Sequence, residues 1–261
     1  MSLSRGRAPF ADYRSRILPS GSGTVYSEPW LRRMRAELNG RTVLDSTRGV
    51  IVYSTGSFPS HYFPLTDFES SALEPAGTDA DGRDQWTLRV GERVAEAVVH
   101  GPSAELAALG DASPVRDFAT LDFGAVDRWF EEDEPLYGHI RDPYHRVDVR
   151  SASRRVVARL GGTVLCDSSR PKILYETALP ARYYVPFADV ALQYLSLSET
   201  ISECPYKGDG QHWNLAVGDV SVADAAWSLP HPLPEGIAAA EHVCFYTDRV
   251  EVTVDGHRLQ D

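Results

Sequence analysis

A chain of 261 residues, 43% of them hydrophobic and 24% charged, has the composition of an ordinary soluble globular protein and the length to bury one large core or two smaller ones. Its formal net charge of −11 argues against sequence-independent nucleic-acid binding, which needs a basic footprint, and against an anionic membrane surface as partner. No apolar run approaches the ~20 residues of a membrane-spanning helix, and the N-terminal arginines lack the apolar core of a signal peptide.

Three cysteines (Cys166, Cys204 and Cys244) without a CxxC pair favour neither a disulfide framework nor a zinc knuckle. A cytoplasmic protein with reduced thiols, and no metal or cofactor, is expected. Residues 1–29 are rich in Ser, Gly, Pro and Arg without periodicity, and read as an extended arm.

From residue 30 an internal repeat begins. Arg35 to Arg48 matches Val157 to Arg170 at an offset of 122 positions, and the same offset carries Tyr53 to Tyr175, Tyr62 to Tyr184, Pro64 to Pro186 and Asp67 to Asp189. After an insertion, Trp86 to Gly91 matches Trp213 to Gly218, and Phe123 to Asp133 aligns with Phe245 to Asp255. Two copies of one domain follow, 30–135 and 153–261, joined by a connector over 136–152.

Each copy reads as mainly β. Val156 to Leu160, a Gly-Gly turn and Thr163 to Asp167 form a hairpin of β-branched residues. Lys172 to Thr177, Arg182 to Pro186, Trp213 to Val217, Val243 to Tyr246 and Val250 to Gly256 are further strands, the last alternating with period two. Helix is confined to short turns at Ala104 to Leu109 and Asp189 to Leu195. Short, evenly spaced strands broken by Gly and Pro indicate an antiparallel sandwich or open barrel rather than a parallel α/β sheet. Between the copies, the acidic run Glu131 to Glu134 precedes His139, Arg141, His145 and Arg146. That run is either a solvated face or a salt-linked connector docking one copy on the other. Glu132, His139 and His145 follow no known metal-ligand spacing.

Candidate site residues concentrate in the second copy. Cys204-Pro205-Tyr206-Lys207-Gly208 has no counterpart in the first, where Pro75 to Gly82 stands instead. It is either a shaped turn around a packed thiol, or a site in which Lys207 activates Cys204 or presents an ammonium to an anion. Arg170, Glu176, Arg182, Tyr183 and Tyr184 fall at strand ends. They either line a carboxylate or phosphate pocket or form ion pairs, Arg170 with Asp167 or Glu176, around a packed aromatic core. Alternation lets only one of Tyr183 and Tyr184 face such a pocket. Trp213 is a core residue or a pocket wall.

The chain resembles the family called domain of unknown function 427, in tandem form. The matching residues are Asp167-Ser168-x-Arg170, Tyr175-Glu176, Pro180-x-Arg182-Tyr183-Tyr184-x-Pro186-x-x-Asp189, Cys204 to Gly208, Trp213, Asp224-x-Ala226-Trp227, Val254-Asp255-Gly256 and the acidic and His-rich connector. The resemblance implies two β-tent-like domains, each of two small antiparallel sheets meeting at an angle, as in methionine sulfoxide reductase B and Yippee-like domains. Relatives of that kind carry zinc on paired cysteines; this chain lacks the pairs, so no metal is carried over. The family supplies a fold and no function.

Two readings of function stand. In the first, the second copy binds a small anionic metabolite and is equipped for catalysis. Lys207 and Arg170 hold the anion, Tyr184 and Glu176 transfer protons, Cys204 is nucleophilic, and Arg182, Tyr183, Tyr206 and Trp213 line the ligand. In the second, the paired copies form a non-catalytic binding or scaffold module. Dinucleotide, P-loop and Ser-His-Asp signatures are absent.

Overall fold

The computed structural model describes residues 16–20, 23–54 and 58–259, and the chain divides between Leu136 and Tyr137 into two compact units. The first unit contains β1 (Arg16–Ser20), β2 (Gly23–Trp30), β3 (Met34–Leu38), β4 (Arg41–Ser46), β5 (Gly49–Ser54), β6 (Ser60–Pro64), β7 (Leu73–Thr78), β8 (Asp84–Val90), β9 (Arg93–His100), β10 (Phe118–Leu121), β11 (Arg128–Glu131) and β12 (Glu134–Leu136). They form an eight-stranded sheet in the order β1-β2-β5-β6-β10-β9-β8-β7 and a four-stranded sheet β12-β11-β3-β4.

The second unit contains β13 (Val147–Ser151), β14 (Val156–Leu160), β15 (Thr163–Ser168), β16 (Lys172–Glu176), β17 (Arg182–Pro186), β18 (Leu195–Ser202), β19 (Gly210–Val217), β20 (Val220–Ser228), β21 (His242–Phe245), β22 (Glu251–Val254) and β23 (His257–Arg258). Its sheets run β13-β16-β17-β21-β20-β19-β18 and β15-β14-β22-β23, all pairings antiparallel. The chain is therefore mainly β in two tandem copies, as the repeat predicts. The only α-helix among the described residues is α1 (Ala104–Ala107), where the Ser103 side chain accepts from the Leu106 amide.

Turn chemistry explains the hairpins. Gly161 and Gly162 have φ of +55° and +83°, and Asn39 and Gly40 have +50° and +72°, so both β-hairpins turn through two left-handed residues. Such turns match the twist of the flanking strands and favour Asn and Gly. In the second unit the main core includes Val156, Leu165, Val185, Leu215, Ala226, Val243, Val252 and Val254.

Three expectations need correction. The first sheet begins inside the segment read as an arm: β2 pairs with β5, and Val25 and Ser27 alternate into the interior. Residues 1–15 and 21–22 of that arm lie outside the described residues. The acidic run belongs to the hairpin β11–β12 and is gripped within its own unit. Arg32 pairs with Glu131, the Arg33 amide donates to Glu132 at 3.0 Å, and Arg35 reaches Asp133 at 3.0 Å. The alignment of the last strands also slides. Pro64 faces Phe118 as Pro186 faces His242, and Ala36 faces Trp129 as Ala158 faces Val252. Loop-length differences that similarity alone does not reveal absorb the shift.

A clamp recurs in both units. Ser168 Oγ donates to Asp189 at 2.6 Å, and Arg170 grips the same carboxylate through Nε at 3.0 Å and Nη2 at 2.6 Å. Ser46, Arg48 and Asp67 repeat it, with the serine contact at 2.7 Å. Arg33 with Asp45 and Arg155 with Asp167 are a second repeated pair. Arg170 thus pairs with Asp189, not with Asp167 or Glu176.

The hydrogen bonds from Arg170, then Ser168, hold the Asp189 carboxyl down to about 2. A carboxyl depressed below its unfolded value of ~3.9 contributes stability above that value and loses it as pH falls toward the folded value. Asp189→Asn is expected to lower Tm at neutral pH. Thermal unfolding across pH should show the deficit against wild type shrinking between about pH 4 and pH 2.

Candidate functional site

The large sheet of the second unit has two faces, and alternation sends Tyr183 to one and Tyr184 to the other. On the Tyr184 face, cross-strand pairing aligns Lys172, Tyr184, Cys244, Trp227 and His212 in one row over five strands. Part of this face is covered by Cys204 to Gly208, whose Tyr206 and Cys204 pack on Val147, Leu174, Tyr184 and Trp227.

The covering loop is fastened at several points. Lys207 forms an ion pair with Glu176 in which the side chains are only 12% and 7% exposed. His145 Nε2 lies 3.0 Å from the other Glu176 oxygen. The Tyr206 ring packs at a tilt against His145, with centroids 4.2 Å apart, and lies under the Arg141 guanidinium at 5.0 Å, while its hydroxyl accepts from the Asp142 amide at 2.6 Å.

The loop backbone closes on itself from the Gly208 amide to the Cys204 carbonyl at 2.9 Å, and the Leu233 amide donates to the Lys207 carbonyl at 2.9 Å. Gly208 is required twice over. Its φ is +92°, and a Cβ there would lie 2.7 Å from the His231 carbonyl oxygen. His139, Arg141 and His145, read in sequence as connector, belong to this second unit.

Five candidates therefore meet here: Cys204, Glu176, Lys207, Tyr206 and Tyr184. Tyr184 is 0% exposed, its hydroxyl has no hydrogen-bond partner among the described residues, and burial pushes its phenol far up. That corrects its reading as a proton-transfer group, because a closed-off phenol that resists ionising cannot serve a ligand. Trp227 Nε1 and His212 Nδ1, in the same row, are also buried without partners. Cys166 and Cys244 are buried and form no disulfide among the described residues, and burial pushes Cys166 up to about 12.

The remaining candidates lie elsewhere. Arg182 and Tyr183 line a small cavity of about 170 Å³ with Phe245 and Leu259. Arg170 and Trp213 line a groove of about 990 Å³ at one end of the large sheet, where β16 and β21 begin and β17 and β20 end. Lys207 and Arg170 do not converge, so the two-cation anion site read from sequence is not formed.

The groove adds two residues that sequence reading missed, Lys172 and His242. Lys172 Nζ donates to Ser151 Oγ at 2.7 Å and has no carboxylate partner among the described residues. Trp213 donates its Nε1–H to Ser228 Oγ at 2.9 Å and meets Phe187 edge-on at 5.4 Å, so it offers the groove apolar surface. Among the described residues, no group of three or more His, Cys, Asp or Glu could hold a metal ion, and no helix is long and apolar enough to cross a membrane.

The family described as "Domain of unknown function (DUF427)" matches residues 27–131 and again 148–256. The chain belongs to that family. It is a tandem DUF427 protein, and no curated protein matches it. His139, Arg141 and His145 fall between the two matched stretches, although their partners Glu176, Tyr206 and Glu235 lie within the second.

Within this tandem, residue pairing gives the counterparts directly. Val50 stands where the second copy has Lys172, Ser54 where it has Glu176, and Phe118 where it has His242. The first copy therefore has neither the buried carboxylate nor the groove cation. One signal was available in the sequence: Lys172 and Lys207 are the only lysines in the chain.

Removing one partner of a buried ion pair leaves an uncompensated charge, so Lys207→Met is expected to cost about 3–5 kcal/mol in denaturant unfolding. Lys207→Met combined with Glu176→Gln should cost clearly less. Tyr184→Phe, which deletes a hydroxyl without a partner, should leave stability unchanged or raise it.

Proposed function

We propose that the second unit binds a small anionic molecule in the groove at the end of its large sheet. The observation that carries this reading is Lys172, an ammonium with no carboxylate partner among the described residues, which lines a groove that Arg170 and Trp213 also line. The volume of about 990 Å³ suits a metabolite-sized ligand, for which pockets run roughly 300–1,000 Å³. A net charge of −11 disfavours polyanions, which approach from long range, more than a small monoanion that meets one local ammonium.

The reading is of a binding module. None of Cys204, Glu176, Lys207 and Tyr184 lines the groove, and the loop that holds Cys204 and Lys207 is a fixed cover. Free cysteines fit a reducing compartment such as the cytoplasm.

Lysine scarcity provides a direct test. Lys207 is nearly buried on Glu176, so amine-selective acylation read by peptide mass spectrometry should modify Lys172 as the main lysine. A carboxylate or phosphate that occupies the groove should protect it and raise Tm by mass action, about 2.7 kcal/mol of stabilisation at a hundredfold excess over Kd. Lys172→Val, which installs the first copy's residue, should abolish the Tm response. If no carboxylate or phosphate shifts Tm, or if Lys172→Val responds as wild type does, the groove is not an anion site.

A further inference from the structure

A different cluster of the second unit, independent of the groove, pairs a hydroxyl with a base. Ser202 closes β18, the edge strand of the large sheet, and pairs with Gly210 at the start of β19. Its Oγ lies 3.1 Å from His212 Nε2 and 3.5 Å from the Gly210 carbonyl, so the imidazole is the nearer acceptor. With the Ser202 proton on that bond, the neutral ring carries its own proton on Nδ1. His212 is 8% exposed and stacks on Tyr246 with centroids 5.9 Å apart, which fixes the ring, whereas Ser202 is exposed. A buried base thus faces an open hydroxyl.

A carboxylate stands close by. Asp224 sits at the bulge between β19 and β20, where its amide donates to Asn214 Oδ1 at 2.9 Å and its Oδ2 accepts from Thr200 at 3.1 Å. Its carboxyl is held below the usual range by the Ser198 and Thr200 hydroxyls first, and then by the charges of His212 and Arg249. It is therefore ionised at neutral pH and coupled by charge to the ring, where it favours the imidazolium that forms when the ring takes a proton.

The first copy shows that the scaffold needs none of the three. Trp86 and Trp213 hold equivalent places, which sets Asp79 against Ser202, Gln85 against His212 and Ala97 against Asp224. The bulge itself is common to both copies. Ala97 has φ of +53° and Asp224 of +48°, and the Ala97 amide donates to Thr87 Oγ1 at 3.1 Å as that of Asp224 does to Asn214. In the first copy Asp79 grips Arg83, and Gln85 meets His100. Serine, histidine and aspartate are present together, on three adjacent strands, in one copy only.

We propose that Ser202 is an acylatable nucleophile with His212 as its general base, and that the pair hydrolyses uncharged carboxylic esters. Ser202 Oγ bonds the acyl carbon and its proton passes to His212 Nε2. The proton then goes to the departing alkoxide as the ester C–O bond breaks. Water attacks the acyl-serine in turn, and its proton passes through Nε2 to Ser202 Oγ as the carboxylic acid leaves. An uncharged ester suits the site better than a phosphate. Glu203 follows Ser202, Asp209 precedes its pairing partner Gly210, and Asp224 adds a third carboxylate.

The test treats the full chain with a fluorophosphonate, maps the labelled peptides by mass spectrometry, and follows hydrolysis of p-nitrophenyl acetate in parallel. Ser202 should carry the label, and p-nitrophenolate should be released over many turnovers. Ser202→Ala should remove both. His212→Gln, which installs the first copy's residue, should slow labelling about a hundredfold or more while the protein still unfolds cooperatively. Asp224→Asn keeps the shape and the Thr200 contact but not the charge. It should lower the maximal labelling rate at least about tenfold with the half-saturating probe concentration unchanged, a split that a purely structural role would not give. Labelling confined to Cys204 or other residues, equal labelling of His212→Gln and wild type, or ester hydrolysis that survives Ser202→Ala would overturn the proposal.

Discussion

A carboxylate at position 176 can be buried beneath the Cys204–Gly208 loop only because two donors reach it from opposite directions in the chain. Taking one carboxylate out of water costs several kcal/mol, and the cost is recovered only when its oxygens are met by well-placed donors. Lys207 meets one oxygen and His145 the other, and each lies 31 residues from Glu176 along the chain. One side chain therefore joins the end of β16, the stretch before β13 and the loop before β19. The packing of Tyr206 against His145 and Arg141 depends on that junction, as does the cover over Tyr184 and Trp227. The five-residue motif is explained by this fastening: proline and glycine shape the turn, tyrosine packs, and lysine pins it to Glu176. Nothing in the geometry requires Cys204 to react.

The two copies separate what the scaffold needs from what one copy has added. The Ser-Arg-Asp clamp and the Arg-Asp pair at the small sheet's hairpin occur in both, with nearly the same distances, so they serve the fold. Elsewhere whole groups change together. In the first copy Gln85, His100 and Asp122 form a hydrogen-bonded chain with 3.2 Å links. The corresponding positions of the second are His212, Trp227 and Tyr246, which pack ring against ring. Converting a polar chain to an aromatic row leaves Trp227 Nε1 and His212 Nδ1 without partners. An unsatisfied buried polar atom costs about 1–3 kcal/mol, so the aromatic packing must offset it.

The duplication, the β character and the hairpins were legible because each rests on local chemistry: identities at one offset, Gly-Gly and Asn-Gly turns, and period-two alternation. Burial of Tyr184 opposite Tyr183 follows from that alternation too. The partners of Arg170 and Lys207 were not legible, because a salt bridge is chosen by which strand ends meet, and Asp189 and Glu176 offered the same charge. The strand Gly23–Trp30 was hidden by Pro29 and its polar neighbours, and only pairing with β5 reveals it. His242 was hidden by a register slide of two positions, which set Phe123 rather than Leu121 against Phe245. Lys172 could have been found, since Val50 is its counterpart at the plain repeat offset.

The lysine usage ties these threads together. Of 26 Lys and Arg residues only two are lysines, and both lie in the second copy. Many of the arginines form bidentate or partly exposed ion pairs, for which a planar fork is suited. An ammonium is a compact point charge with three rotatable donors, suited to a carboxylate approached from one side. At position 207 that carboxylate is internal, and the lysine is consumed in holding the loop. At position 172, among the described residues, no carboxylate partner is present and the ammonium bonds a serine hydroxyl. The same chemical preference is thus satisfied from within at one site and open to the groove at the other. Lys207 is spent on fastening its loop, whereas Lys172 has no carboxylate partner among the described residues.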